Sequence, residues 1–151
     1  MHRSFLKARR SLIATAAIAA LGATGAQAAN VNWVGPNASF WDLATNWNPA
    51  LPGAADDVLL GVFDTTLRSG TVTIQSFTGT GTLSLTGGSL SVSSASSIGG
   101  FDMAGGTLDG IGAVSVSGAS SWTSGTMSGA GSTTFNGPLA LVQHPVNIFN
   151  Y

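Results

Sequence analysis

The sequence predicts an all-β solenoid, a run of short strands wound into coils that stack along one axis. Three observations carry the prediction. Apolar residues recur two apart with Thr or Ser between them (Val72 and Ile74, Leu83 and Leu85, Leu90 and Val92, Val114 and Val116), and glycine bounds each pair within a few residues. That is the period of a half-buried strand. Residues 70 to 137 contain no proline, and Gly, Ser and Thr supply 42 of their 68 positions. A flexible linker shares that bias, so the alternation decides for strands. Finally, Gly106-Thr107-Leu108-Asp109-Gly110-Ile111-Gly112-Ala113-Val114-Ser115-Val116-Ser117-Gly118 aligns without gaps on residues 125 to 137, an offset of 19. Self-similarity near 20 residues in β-type sequence is the mark of stacked coils.

In chain order the first element is an export signal over residues 1–28. Arg3, Lys7, Arg9 and Arg10 precede an uncharged Ala-rich stretch and the small-residue site Ala26-Gln27-Ala28, with cleavage expected after Ala28. Gly22, Thr24 and Gly25 dilute the stretch, which falls short of the roughly 20 apolar residues of a spanning helix, so no membrane insertion is expected after cleavage. Arg9-Arg10-Ser11-Leu12-Ile13 faintly resembles a twin-arginine signal. The general route is preferred, since nothing downstream calls for a cofactor inserted before export.

Past residue 28, six aspartates (Asp42, Asp56, Asp57, Asp64, Asp102, Asp109) face the single cation Arg68, a net charge of −5. One cation neither neutralises a run of phosphates nor holds to an anionic bilayer, which argues against nucleic acid and membrane-surface partners. The absence of cysteine excludes a disulfide framework, a thiolate metal site and a lipoprotein anchor. Stability then has to come from repeated packing.

Residues 29–64 form an aromatic, proline-punctuated segment with Trp33, Phe40, Trp41 and Trp47 among Pro36, Pro49 and Pro52. It is expected to cap the open end of the solenoid. Residues 65–141 are the coils. Glycine is expected at their corners and one apolar residue per strand is expected to stack on its counterpart, Leu108 on Met127 and Val116 on Phe135. A shorter echo of residues 110 to 118 lies 31 residues upstream, at 79 to 87. The unequal offsets imply about three coils of different lengths, with a loop bulging within residues 93 to 105. Residues 142–151 have no repeat character and read as an irregular tail.

Trp33-x-Gly35, Phe40-Trp41-Asp42, Asn46-Trp47, Pro52-Gly53 and Asp56-Asp57-Val58-Leu59-Leu60, followed by the Gly-Thr-Leu-x-Gly-x-Gly repeats, resemble the N-terminal start of large bacterial exported β-helix proteins. These are autotransporter passengers, filamentous adhesins and related β-strand-repeat surface proteins. The resemblance implies a right-handed parallel β-helix outside the cell or at the outer membrane, serving adhesion or surface architecture. Members run for many more coils, so the chain is expected to be part of a longer passenger. Fold alone does not settle function.

Few residues offer chemistry. Trp33, Trp41 and Trp47 could form a sugar-stacking platform, with Asp56 or Asp57 as carboxylates; an end cap is the preferred reading of the rings, because an end must be covered. Neighbours in a strand point to opposite faces, so the Asp56-Asp57 pair suits neither a shared proton nor one metal. It is expected to end a turn and start the strand that carries Val58 to Leu60. Asp109 sits at a Gly-flanked turn, but its equivalent one repeat on is Ser128, so no calcium ladder is expected. Trp122 is expected in the core or half in it. His144, the one histidine after the signal, lies in the tail away from any Gly-x-Ser-x-Gly elbow. The Asn37-Ala38-Ser39 acceptor pattern is incidental behind a bacterial-type signal.

The expectation is a non-catalytic secreted or cell-surface β-helix segment, structural or adhesin-like, with no cofactor and no metal. Its partners are expected to be surface glycans or other copies or coils of a β-helix. The alternative is a carbohydrate-binding or polysaccharide-cleaving β-helix that uses the tryptophans with Asp56 or Asp57.

Overall fold

The computed structural model describes residues 28–142. The expected signal and tail lie outside the described residues but for Ala28 and Val142. The described chain is all β-strand and turn, with one 3-10 turn at Ala44–Asn46.

A long first coil contains β1 (Asn30–Trp33), β2 (Ser39–Phe40), the 3-10 turn and β3 (Trp47–Asn48). The next two coils have three strands each: β4 (Asp57–Gly61), β5 (Thr65–Leu67) and β6 (Thr71–Ile74), then β7 (Ser76–Gly79), β8 (Thr82–Leu85) and β9 (Ser89–Val92). After them come β10 (Ser96–Ile98), β11 (Gly100–Gly110), β12 (Val114–Val116), β13 (Ser120–Met127), β14 (Thr133–Phe135) and β15 (Leu139–Leu141). β11 rounds a corner without a break, its first half pairing β8 and its second half β9.

Every strand but β3 pairs in parallel with its counterpart one coil away, which builds the predicted parallel β-solenoid with three faces. Face one is β1-β4-β7-β10-β12-β14, and face two is β2-β5-β8-β11-β13-β15. Face three is β6, β9 and the second halves of β11 and β13. About four regular turns follow the long first one. The aromatic segment is part of this stack, since β1 and β2 pair with β4 and β5.

Coil length is more regular than the sequence offsets imply. Asn30 pairs with Asp57 across the first coil, a step of 27 residues, but Thr71 with Ser89 and Ser89 with Thr107 are steps of 18, and Val114 with Thr133 a step of 19. The offset of 31 is not a coil, because Leu83 stacks on Phe101 in face two whereas Val114 lies in face one. No loop bulges within residues 93 to 105, which hold β10 and the start of β11. The echo arose because every corner asks for the same glycine-strand-glycine pattern, so it recurs between faces as well as between coils.

Inside, alternate residues form columns. On face two these run Leu67-Leu85-Met103-Trp122-Leu141 and Thr65-Leu83-Phe101-Ser120. On face three the column is Val72-Leu90-Leu108-Met127, and on face one Val116 lies over Phe135, so both predicted contacts form. The columns merge into one core in which Leu83, Leu85, Leu90, Phe77 and Phe101 are wholly buried. Each such side chain contributes about 1.5–3 kcal/mol. Trp122 is half-buried in its column, as expected.

Two serines stand in the core, and each replaces an apolar residue to a purpose. Ser96 Oγ accepts the Phe77 N–H at 3.0 Å and Ser120 Oγ accepts the Phe101 N–H at 3.1 Å, each one coil back. Burying an unpaired N–H would cost about 1–3 kcal/mol. At the corner entering face three, Gly70, Gly88, Gly106 and Gly125 have φ of +85°, +71°, +70° and +99°. An L side chain there is strained, which makes glycine obligatory once per coil.

Candidate functional site

The aromatic segment is where the sequence concentrates its large side chains. β3 runs antiparallel to β1 and places Trp47 opposite Trp33. The two rings meet edge-on at 4.9 Å between centroids, and Trp41 lies 4.7 Å from Trp47. Trp47 Nε1 donates to the Trp41 carbonyl at 2.7 Å. Trp33, Trp41 and Trp47 are only 5%, 1% and 4% exposed. A sugar-stacking platform needs an open ring face, and these faces are spent on one another and on the core.

The surrounding motif residues serve the same assembly. Asn46, itself buried, donates from Nδ2 to Ser39 Oγ at 3.0 Å and to the Phe40 carbonyl at 2.9 Å. Its own carbonyl accepts the Val34 N–H at 2.8 Å. Gly35 leaves room for it, since a Cβ there would come within 2.5 Å of Asn46 Cγ. Arg68 lies 3.8 Å over the Phe40 ring and grips both oxygens of Asp42, with Nη2 2.9 Å from Oδ2 and Nε 3.0 Å from Oδ1. That hydrogen-bonded guanidinium holds the Asp42 carboxyl below its ordinary value. The one cation among the described residues is thus tied to the cap.

Asp56 and Asp57 are apart from the rings. Asp56 Oδ2 accepts the Gly53 N–H at 2.7 Å, closing the turn, and Asp57 opens β4, where its Oδ1 accepts the Ser76 hydroxyl. Asp57 pairs with Asn30, three residues before Trp33, or roughly 10 Å along the strand. The sequence-predicted tryptophans come together; the carboxylates do not join them.

The other aspartates are likewise engaged. Asp64 Oδ1 accepts the Thr82 N–H at 2.8 Å, Asp102 Oδ1 accepts the Ser121 hydroxyl at 2.7 Å, and Asp109 Oδ1 accepts the Ser128 hydroxyl at 3.3 Å. Among the described residues no three His, Asp or Glu side chains group as metal ligands.

The sequence reading missed the order of the outer surface. Face three carries two columns, Thr71-Ser89-Thr107-Thr126 and Thr73-Ser91-Asp109-Ser128, and face one carries Thr78-Ser97-Ser115-Thr134. Parallel pairing spaces neighbours in a column by about 4.8 Å. A readable signal lay in the recurrence Gly70-Thr71, Gly88-Ser89, Gly106-Thr107, Gly125-Thr126, at steps of 18, 18 and 19. The chain matches no family model, no curated protein and no solved structure.

Proposed function

We propose that the chain is a non-catalytic segment of an exported, cell-surface or secreted β-solenoid, structural or adhesin-like, which works through its flat hydroxyl-bearing faces. One observation carries the reading: the outward columns of face three are Thr and Ser at seven of eight positions, held in register by the backbone. Such a face offers many evenly spaced donors and acceptors with little charge, which suits extended polar surfaces, glycans among them. Catalysis is disfavoured on geometry. Asp56 and Asp57 close a turn and bind a neighbouring coil, and Arg68 is committed to Asp42. The alternative, a glycan platform built from Trp33, Trp41 and Trp47, loses support from their burial. The autotransporter- and adhesin-like affinity and the export route belong to this proposal and rest on the sequence motifs.

Adsorption to immobilised polysaccharides and to cell surfaces tests it, comparing the parent with a variant carrying Ala at Thr71, Thr73, Thr107 and Thr126. Loss of adsorption with an unchanged far-UV spectrum is the expected result. Release of reducing ends from a polysaccharide, or adsorption insensitive to the four changes, would overturn it.

A further inference from the structure

The two ends of the stack are finished differently. At the first coil, β3 covers the edge of β1 antiparallel, and the tryptophan cluster fills the core beneath. At the last coil, β14 and β15 are the outermost strands of faces one and two among the described residues. The alternation of bonds shows what they leave free. Ser132 accepts from Val114, and Asn136 donates to Val116, so the N–H and C=O groups of Thr133 and Phe135 point away from the stack. The core columns end there too, with Phe135 and Met127 half-buried and Leu141 60% exposed.

Edge strands are normally guarded by charge, proline or a bulge. β14 and β15 contain neither charge nor proline, and no residue from 110 to 142 is charged. Among the described residues nothing at this end repels a second copy. In sequence, the place 19 residues past Gly125 on the corner-glycine ladder is held by His144 and not by glycine.

We propose that this end of the described stack is a self-association surface, and that two copies join end to end through it about a two-fold axis at Thr134. The end of a solenoid is a helical ramp that rises through the second half of β13, then β14, then β15. A ramp is self-complementary under a two-fold through its middle step, because the high side of each copy then meets the low side of the other. With the axis at β14 the gap is equal on all three faces; an axis at β15 or at β13 leaves a step of one coil. β14 pairs antiparallel with itself, Thr133 opposite Phe135 and Thr134 opposite Thr134, and β15 of each copy covers the third face of the other. The contact is isologous and closes as a dimer. On face one a head-to-tail chain is opposed by β3, which covers the edge of β1 and is followed at once by Pro49.

Thr134 gives a direct test, because its own backbone groups face β12, which makes the Thr134 pair across the axis a non-hydrogen-bonded one. Such residues have Cα atoms about 4.5 Å apart, within disulfide reach. The chain has no other cysteine, and both Thr134 and Thr78 are exposed on face one. The protein, expressed from Met1 to Tyr151, is expected to elute with light scattering at twice the chain mass. Thr134→Cys is expected to cross-link under mild oxidation far faster than Thr78→Cys, and Thr134→Lys, which sets two like charges face to face, to give a folded monomer. A parent that is monomeric at all concentrations, open-ended fibres, or equal cross-linking of the two cysteine variants would overturn the proposal.

Discussion

Replacing a corner glycine by alanine separates two costs that usually arrive together. Gly70 and Gly88 occupy the same corner one coil apart, with φ of +85° and +71°. A Cβ on Gly70 meets nothing within 4 Å, whereas one on Gly88 would lie 2.6 Å from the Gly70 carbonyl oxygen and 2.8 Å from the Ser69 carbonyl carbon. Both substitutions carry the left-handed strain of about 1–2 kcal/mol. Both also gain the same few tenths of a kcal/mol or more from the stiffer unfolded chain. Gly88→Ala must in addition push a neighbouring backbone aside, an overpacking cost of about 1–3 kcal/mol. The difference between the variants therefore isolates the close approach of coils. Thermal unfolding followed by circular dichroism reads it, at roughly 4 °C per kcal/mol for a domain of this size. Gly88→Ala is expected to melt at least several degrees below Gly70→Ala. Equal melting temperatures would refute the reasoning and leave backbone conformation as the whole reason for glycine at these corners.

Three further outcomes are expected. Trp47→Ala removes the ring that touches both other tryptophans and is expected to destabilise the fold by about 3–5 kcal/mol in urea unfolding. Iodide is expected to quench mainly Trp122, so that Trp122→Phe abolishes most quenching and Trp41→Phe leaves it intact. Because the Arg68 pairing lowers the Asp42 carboxyl below its ordinary 3.8, the stability it contributes is complete above that value and is lost as pH falls through the lowered one. Asp42→Asn is therefore expected to flatten the acid limb of a urea-midpoint profile.

Period-two apolar pairs and a repeat of 19 were enough to read the solenoid and the Leu108-Met127 and Val116-Phe135 contacts. Both signals are local consequences of one face being buried. The coil count was not legible, since the pattern at Gly79 recurs at Gly110 for reasons of corner geometry, and only pairing distinguishes a face from a coil. The motif around Trp33, Gly35 and Asn46 carried the family resemblance, with no role assigned to the glycine or the asparagine. Burial decides its role: the glycine makes room for the asparagine, and the asparagine ties down the strand beside the rings. Core serines escaped notice because nothing in the type or spacing of Ser96 and Ser120 separates them from the many serines outside. Their distinction is a single N–H one coil away.

The corner ladder Gly70, Gly88, Gly106 and Gly125 bears on how such a molecule can change in length. Each coil returns the chain to the same backbone state, so an in-frame duplication of residues 88 to 105 would set every new residue on its counterpart, with core column, corner and outer hydroxyls renewed together. An insertion of a single residue within a strand would instead turn inward side chains outward. Growth by whole turns is thus the nearly neutral path open to this gene, and the length of the stack becomes a quantity that copying errors can tune without redesigning the fold.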